Sequence, residues 1–482
     1  MNLKINHHHI YIFCFTSFFF FWGVNLTDFS DPDFLYIIIP NKIKLSYLII
    51  FLLIPIFYNL IKKRRFHPKE VFNNQNYIIF FTLFIFAHYF FIKFYYNELF
   101  AKSEIANLIY LLLLSIIYCH FRNFIVINFK KILTFYLVIF ITYSVYEGSQ
   151  LFNYGFYDLE GALQFKNVGQ CHMDLYLIYI IREYTGISLG NSIYLENSHL
   201  AMMSVAVFFS GAFILFQEKK TNILFLLLLL IEIIIVLNNL STTYFVCYFI
   251  SQIVLLFFFF KKINIKFWIV SLLLLSINSY LFFSDKNCTR KVTDFKVKDI
   301  LEESLEERST NKTTLIYKRS AILTLETLKN HSLGWGIDGM DDATVNLMDN
   351  YDVGCIDFKK WEDQINSKCY NNDNFNHQDH LHFYENEENR ASWQLLFLNT
   401  KDGLSNLFKM FTEFGIFTFI IFFFFIKYIL NIQNINSYNL FVIILFVTMC
   451  IRGVGYFNGG FIFCILEFFY YKKFVNEVEF KN

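Results

Sequence analysis

An arginine on the apolar face of a predicted helix is the first feature of this sequence that could do chemistry. The segment YKRSAILTLETLKNHSLGWG (317–336) predicts a helix, and at about 100° per residue Arg319 and Glu326 fall on one face. That face also carries Leu315, Ile322 and Leu323. A guanidinium group there either pairs with Glu326 or binds an anion such as a diphosphate, whose oxygens it matches in a bidentate geometry. Arg319 is therefore a candidate catalytic residue.

Charged side chains also lie in two short segments that adjoin apolar runs. Arg452, in CIRGVGYFNGG (450–460), occupies a glycine-rich turn, where an arginine next to a membrane needs an anionic partner. Lys409 and Glu413 are spaced i, i+4 in DGLSNLFKMFTEFG (402–415), a spacing that favours an ion pair on a helix. We expect either that Lys409 and Glu413 only pair with each other, or that these two residues and Arg452 contribute to substrate binding.

The candidate general bases open a helix in the middle of the chain. Glu196 and His199 are spaced i, i+3 in YLENSHLAMM (194–203), and a carboxylate or an imidazole there could take a proton from a hydroxyl nucleophile. The alternative is an ordinary helix start, in which Asn197 or Ser198 caps the backbone and Glu196 interacts with the positive end of the helix. Both interpretations place these side chains at the same point.

Glycines and hydroxyl-bearing residues mark two further turns. Gly334 and Gly336, in HSLGWGIDG, can adopt positive φ and so end the preceding helix, and they would also let the backbone approach a ligand closely. Ser241 and Thr242, in NNLSTTYF (238–245), either cap the following helix or contribute to substrate binding. All four are candidate substrate-binding positions.

The sequence signals for a metal site and for disulfide bonds are weaker than those for the candidates above. The tract HQDHLH (377–382) carries three histidines, but their spacing does not match a zinc site, and we predict no metal and no cofactor. Glu232 lies near the middle of an apolar run, where a charged residue is rare and is protonated, paired or functional. Four cysteines in the predicted outer loops allow three disulfide pairings, of which the local pair Cys355–Cys369 is preferred. The four are Cys171, Cys288, Cys355 and Cys369.

The composition predicts a membrane protein with many helices. Of 482 residues, 56% are hydrophobic, 21% aromatic and 17% charged, which excludes an ordinary soluble globular domain. The net charge of +1 gives no sign of nucleic-acid binding. Apolar runs near the length that crosses a bilayer predict an all-α polytopic fold with about twelve transmembrane helices. These are expected near 8–24, 44–61, 77–92, 105–120, 132–147, 198–216, 222–238, 243–260, 267–283, 407–428, 438–450 and 461–471.

The distribution of lysine and arginine predicts which side of the membrane each loop faces. Basic clusters follow alternate apolar runs, and such clusters stay in the cytoplasm. Both termini are therefore predicted to be cytoplasmic, and two loops face the periplasm of a Gram-negative inner membrane. A smaller loop at 148–197 interrupts the helices of 1–283, and a large loop or cap at 284–404 lies between helices 9 and 10, before the last three helices in 405–482. No inverted repeat is visible, which disfavours a carrier.

Four motifs resemble, in their order along the chain, those of the O-antigen polymerase and ligase superfamily. They are a polar element that opens a central helix (Glu196 to His199), a hydroxyl-rich turn two helices later (Ser241 to Thr243), an arginine-bearing helix leading to G-x-G (Arg319 to Gly336), and EFG at the helix after the large loop (Glu413 to Gly415). The predicted topology is similar over nearly the whole chain. The resemblance rests on the order and the placement of these motifs.

The resemblance implies a metal-independent, integral-membrane glycosyltransferase that acts on undecaprenyl-diphosphate-linked glycans at the periplasmic face. The growing chain would pass from its lipid carrier to a new lipid-linked repeat unit, with Arg319 and Arg452 on the diphosphate and Glu196 or His199 as the base. Ligases of this superfamily carry an arginine in the hydroxyl-rich turn, where this chain has Thr242. They also carry a His-Asn pair ahead of E-x-G, where this chain has Leu404 and Ser405. Both departures favour a polymerase.

Two alternatives stay open beside the polymerase. One is an O-antigen ligase that transfers glycan to lipid A-core, and the other is a flippase or transporter of lipid-linked oligosaccharides. The expected partners are undecaprenyl-diphosphate-linked glycans and the lipid bilayer. A chain-length regulator and a repeat-unit flippase are further candidate partners, and no nucleic acid is expected.

Overall fold

Every element in the described part of the chain is helical. The computed structural model of this protein describes residues 7–22, 44–96, 102–153, 197–218, 223–238, 242–284, 312–340, 342–343 and 405–470. The α-helices are α1 His7–Phe20, α2 Leu53–Lys62, α3 Pro68–Val71, α4 Asn76–Tyr95, α5 Lys102–Asn153, α6 Asn197–Phe216, α7 Ile223–Asn238, α8 Thr242–Phe259, α9 Ile265–Ser284, α10 Lys312–Asn330, α11 Asn406–Phe414, α12 Thr418–Asn431, α13 Ser437–Ile451 and α14 Phe461–Phe468. Short 3₁₀ helices, Leu45–Leu52 and Gly415–Phe417, precede α2 and α12. Because these ranges contain no strand, the all-α prediction is confirmed for them.

Five helical segments are long and apolar enough to cross a membrane. They are Leu45–Lys62, Asn76–Tyr95, Lys102–Tyr146, His199–Phe216 and Asn406–Asn431. The helices α7, α8, α9 and α13 are apolar and shorter. Large apolar side chains such as Phe257, Ile269 and Phe423 are exposed on the outer surface, as expected of surfaces that face lipid. The protein therefore has the character of a helical membrane protein, and the count of about twelve spans stays a prediction.

The helix α5 is continuous where the sequence predicts two spans. It has 52 residues, more than twice the roughly 20 residues that cross a bilayer. The predicted turn at 121–131 contains no glycine or proline, so nothing in it interrupts the helical hydrogen bonds. The polar side chains of this middle region still mark an end of the bundle, because Arg122 pairs with Glu467 and Lys130 lies over the ring of Phe225.

Polar side chains collect at two opposite ends of the helix bundle. The end that we name the Arg122 end comprises the middle of α5, the starts of α4 and α13 and the ends of α2 and α14. The other, the Lys93 end, comprises the ends of α4 and α13 and the starts of α5, α6, α11 and α14. The basic runs 62–65, 130–131 and 261–262 all lie at the Arg122 end, where Lys130 lies over Phe225 and Lys262 donates to the Ile432 carbonyl. One-sided placement of basic residues is what the positive-inside rule predicts.

The helices α6 and α13 form the centre of the bundle. They pack against each other, and 89% of the His199–Phe216 segment is buried. Because the chain runs in opposite directions through the two helices, the start of α6 lies at the same end as the turn that follows α13. That packing brings His199 and Arg452 to the Lys93 end.

Most of the two predicted loops lies outside the described residues. Of 284–404, the structure describes Ser284, 312–340 and 342–343, and of 148–197 it describes 148–153 and Asn197. The histidine tract 377–382 falls outside, and so do the four cysteines of the predicted disulfides. The five cysteines in the apolar helices, Cys14, Cys119, Cys247, Cys450 and Cys464, are free thiols.

Candidate functional site

Backbone hydrogen bonds join the segment after α10 to the end of α11. Three bonds connect them: Trp335 N donates to the Thr412 carbonyl at 3.1 Å, Gly336 N to the Glu413 carbonyl at 2.9 Å, and Ile416 N to the Ser332 carbonyl at 2.9 Å. Backbone groups that leave a helix need such partners when they are buried. The G-x-G and EFG motifs, which are far apart in the sequence, are therefore in direct contact.

The two glycines of G-x-G have the predicted backbone conformation, with positive φ, but different surroundings. Gly334 and Gly336 adopt φ of 84° and 85°, as expected of residues that end a helix. A Cβ at Gly334 would lie 2.3 Å from the carbonyl oxygen of Glu413, whereas a Cβ at Gly336 would have its nearest neighbour at 3.7 Å. The space beside Gly334 is filled by the backbone of α11. Glycine is therefore required at 334 for the packing of the two segments, and the contribution of Gly334 to substrate binding stays a prediction.

The buried face of α10 also differs from the predicted face. Leu323 is buried as predicted, but Glu326 is half-buried and its carboxylate accepts a hydrogen bond from the Asn330 amide at 2.8 Å. Among the side chains of this helix that the structure describes, the buried ones share the spacing i, i+3, i+4, i+7 and are Ser320, Leu323, Thr324 and Thr327. The backbone of Arg319 belongs to α10, and its side chain lies outside the described part of the structure, as does the predicted pairing with Glu326.

Hydroxyl side chains account for the shift of that face. The Thr324 hydroxyl donates to the Ser320 carbonyl at 2.8 Å and lies 3.5 Å from the Thr412 hydroxyl of α11. A hydroxyl that is bonded to its own helix can be buried at low cost, so a search for apolar periodicity alone misplaces the face. The contact fixes α10 against α11, the helix that carries Lys409.

Lys409 is buried between two carboxylates. Its Nζ lies 3.5 Å from Oε1 of Glu413, which confirms the predicted i, i+4 ion pair, and 3.8 Å from Oδ1 of Asp338. The side chains of Lys409 and Glu413 are 3% and 0% exposed. The same Nζ lies 5.4 Å from the ring centroid of Tyr456. The lysine thus links α11 to the segment after α10 and to the turn after α13.

A second buried ion pair joins α4 to α5. Lys93 Nζ lies 2.9 Å from Oε1 of Glu104 and 3.5 Å from Oδ2 of Asp342, and the Tyr89 hydroxyl donates to Oε2 of Glu104 at 2.7 Å. Sequence reasoning missed this pair. The available signal was a lysine at the end of one predicted span and a glutamate at the start of the next, with a short loop between them.

Side chains of α4 and α5 hold the segment after α10 from the other side. The His88 Nε2 group donates to the Leu333 carbonyl at 2.7 Å, and the Asn107 amide donates to the carboxylate of Asp338. Because Asp338 also faces Lys409, one carboxylate connects α5 to α11. The segment that contains G-x-G is therefore fixed between α4, α5 and α11.

Arg452 lies in the turn after α13 and is 7% exposed. The turn is fixed to neighbouring elements, because the Tyr317 hydroxyl of α10 donates to the Ile451 carbonyl at 2.7 Å and Oδ1 of Asn406 accepts from Gly455 N at 3.0 Å. Burial raises the pKa of Tyr317 to about 12, although the positive charge of Arg452 acts in the opposite direction. The guanidinium group is thus close to the start of α10, as well as to the turn that carries it.

His199 lies at the start of α6, at the same end of the bundle. Its half-buried ring meets the Trp22 ring edge-on, with 5.1 Å between the centroids. A Cβ at Gly459 would lie 3.2 Å from Nε1 of Trp22, so the turn after α13 passes the same tryptophan. Trp22 therefore lies between His199 and the turn that begins with Arg452.

Most of the predicted site residues that the structure describes come together at the Lys93 end. These are His199, Gly334, Gly336, Lys409, Glu413 and Arg452. Glu196 and Ser241 lie outside the described residues, and Thr242 is the first residue of α8, with its side chain outside them. The contacts that these three residues are predicted to make with the site therefore stay predictions.

The arrangement at the Lys93 end combines buried cations with carboxylates of unequal exposure. The described cations are Lys93, Lys409 and Arg452, and the described carboxylates are Glu104, Asp338, Asp342 and Glu413. Asp338 and Asp342 are 29% and 50% exposed, whereas Glu104 and Glu413 are buried. An incoming anion can replace an exposed aspartate beside its lysine, and the displaced carboxylate can accept a proton from a hydroxyl.

Comparison with known proteins assigns no family to this chain, since no protein-family model, no curated protein and no solved structure matches it. We therefore draw the function from the residues of the Lys93 end and from the order of the motifs.

Proposed function

We propose that this protein is an integral-membrane glycosyltransferase that polymerises lipid-diphosphate-linked oligosaccharide repeat units. The observation that carries the proposal is the contact of the G-x-G segment with the EFG segment, beside the buried side chains of Lys409 and Arg452. Two of the four motifs that resemble the O-antigen polymerase and ligase superfamily thus lie against each other. A third, represented by His199, lies at the same end of the bundle.

In this proposal the Lys93 end faces the periplasm of a bacterial inner membrane. The basic runs 62–65, 130–131 and 261–262 at the opposite end support that orientation. A lipid carrier would stay in the bilayer beside the exposed apolar faces of the helices. Its diphosphate would then reach the interface at the depth of the buried cations.

The reaction requires a cationic site, a base and limited access of water. The bond from the sugar C1 to the diphosphate oxygen breaks, the diphosphate leaves as an anion, and the acceptor hydroxyl oxygen bonds to C1 after giving its proton to the base. Arg319 and Arg452 would hold the leaving diphosphate, and Lys409 would add a buried positive charge. His199 or Glu196 would accept the proton, and the segment after α10 would cover the site.

Deletion of the gene, followed by gel analysis of the surface glycan, tests the proposal. A lipopolysaccharide core that carries a single repeat unit is the expected result. Bare core with accumulated lipid-linked polymer would identify a ligase, and bare core with the lipid-linked units retained on the cytoplasmic side would identify a flippase. An unaltered glycan would exclude all three functions.

Substitution of the arginines tests the site within that function. Arg452→Ala and Arg319→Ala should each abolish chain extension while the protein remains in the membrane, because each removes a cation from the diphosphate. Arg65→Ala is the matched control, since this arginine is 59% exposed at the Arg122 end. Long glycan chains in either of the first two variants would remove that arginine from the site.

A further inference from the structure

Buried polar side chains that are not part of the candidate site also meet inside the helices α6–α9. Ser204, Glu232, Tyr244 and Asn278 come from α6, α7, α8 and α9 respectively, and each is at most 1% exposed. The Ser204 hydroxyl lies beside the Glu232 carboxyl. Tyr244 lies beside both Glu232 and Asn278. Four helices therefore each contribute one oxygen-bearing side chain to one place.

This polar group lies below the surface of the bundle. Glu232 is six residues before Asn238, the last residue of α7, which corresponds to about 9 Å of helix. Asn278 is likewise six residues before the end of α9 at Ser284. The opposite faces of the same helices carry exposed apolar side chains such as Leu230. At such a depth in a membrane, an ionisable residue is costly and marks a functional site more often than not.

Much of the hydrogen-bonding capacity of the group is unused within the described residues. Ser204 interacts with Glu232 and Asn278 with Tyr244, but Glu232 Oε1, Ser204 Oγ and both polar amide atoms of Asn278 form no hydrogen bond of full geometric quality among the described residues. Buried polar atoms in native proteins nearly always have a partner, and a carboxylate without one carries a large desolvation cost. The geometry therefore calls for a bound species that interacts with several oxygens together.

We propose that Ser204, Glu232, Tyr244 and Asn278 bind a dehydrated monovalent cation, Na⁺, within the helix bundle. One carboxylate balances one positive charge, whereas a divalent cation would leave an uncompensated charge in a medium of low dielectric constant. The hydroxyl, phenol and amide oxygens are hard ligands of the kind that such cations prefer. A proton on Glu232 would also neutralise the carboxylate, but it engages a single acceptor, whereas a cation contacts several oxygens at once.

The bound cation would connect all four helices from α6 to α9. A ligand that binds the folded state stabilises it in proportion to the logarithm of the ligand concentration. The stability of the protein should therefore depend on Na⁺ and not on ionic strength as such. This proposal does not depend on the glycosyltransferase proposal, and its outcome is read from binding and unfolding alone.

Thermal unfolding of the purified full-length protein in detergent tests the site. NaCl is raised while choline chloride keeps the ionic strength constant, and we expect a saturable rise in Tm of a few degrees with Na⁺. Binding of ²²Na⁺ to the same preparation should saturate at about one ion per chain, since a single carboxylate balances a single charge. Glu232→Gln should abolish both responses.

Two serines of α6 form a matched pair for the same measurement. Ser204 belongs to the proposed site, whereas the buried Ser210 hydroxyl donates to the Ala206 carbonyl at 2.7 Å. Ser204→Ala should weaken the apparent affinity for Na⁺ by about tenfold or more, and Ser210→Ala should leave it unchanged. If Glu232→Gln does not fold, this pair and ²²Na⁺ binding to the wild type still decide the question. Equal responses to Na⁺ and choline, or a Tm that changes with pH and not with Na⁺, would overturn the proposal.

Discussion

The two ends of the bundle both bury ion pairs but surround them differently. At the Arg122 end, the Glu467 carboxylate accepts hydrogen bonds from Arg122 at 2.6 and 3.0 Å and another from the Tyr118 hydroxyl. The ring of Tyr470 lies 4.6 Å from the guanidinium carbon. The donors fill both carboxylate oxygens, and the ion pair joins helix α5 to helix α14.

At the Lys93 end, two of the ion pairs join helices to the segment after α10. Asp338 and Asp342 belong to the segment after α10, and both are partly exposed beside their lysines. A carboxylate that is saturated with donors has no capacity left for a ligand, whereas an accessible one can exchange its partner. From this comparison we expect the Arg122 end to contribute stability and the Lys93 end to exchange ligands.

Removal of the cation at the Arg122 end should have the largest effect on stability. Arg122→Ala leaves the buried Glu467 without compensation, and we expect the free energy of unfolding to fall by about 3–5 kcal/mol. Thermal or denaturant unfolding in detergent measures this loss. The exposed Arg65→Ala variant serves as the control and should change little. A loss as small as that of the control would show that Arg122 does not stabilise this end.

The glycine pair sharpens the comparison at the Lys93 end. Gly334→Ala and Gly336→Ala both place a side chain at positive φ, which costs about 1–3 kcal/mol of unfolding free energy. In Gly334→Ala the backbone of α11 must also move, because the new Cβ would approach the Glu413 carbonyl oxygen to 2.3 Å. Unfolding measurements on the two variants should therefore show a larger loss for Gly334→Ala. Equal losses would mean that the close approach of the two motifs is not required.

Loss of one hydroxyl should have the smallest effect. Tyr317→Phe removes the hydrogen bond to the Ile451 carbonyl and should lower the free energy of unfolding by about 1 kcal/mol. Burial raises the pKa of Tyr317 to about 12, above the unfolded value of about 10. The stability that depends on the neutral phenol is therefore complete below about pH 10 and is lost as the pH rises toward 12. A wild-type and a Tyr317→Phe protein with the same pH dependence between these values would contradict this assignment.

Local features of the sequence predicted the membrane class and one part of the site. Apolar runs identified the helices because burial in lipid depends on composition within about twenty residues. The Lys409–Glu413 pair could be predicted because i, i+4 neighbours are fixed by the helix itself. The continuity of helix α5 through 121–131 was not predicted, although this stretch contains no glycine or proline.

Contacts between distant segments could not be predicted. Nothing local indicates that Asp338 reaches Lys409. The contact of G-x-G with EFG depends on backbone groups, which are the same in every sequence and carry no residue signature. The face of α10 was misplaced since buried hydroxyls such as Thr324 do not count as apolar in a periodicity search.

Replacement of Lys409 by methionine tests most directly whether the Lys93 end is the functional site. The gene is replaced by the Lys409→Met, Lys409→Arg or Arg122→Ala form, and the length of the surface glycan is measured on gels relative to the amount of folded protein in the membrane. We predict that Lys409→Met abolishes chain extension per folded molecule. Lys409→Arg should retain part of the extension, because the charge is kept. Arg122→Ala should lower extension only in proportion to the amount of folded protein. Glycan of wild-type length per folded molecule in Lys409→Met would contradict the placement of the site.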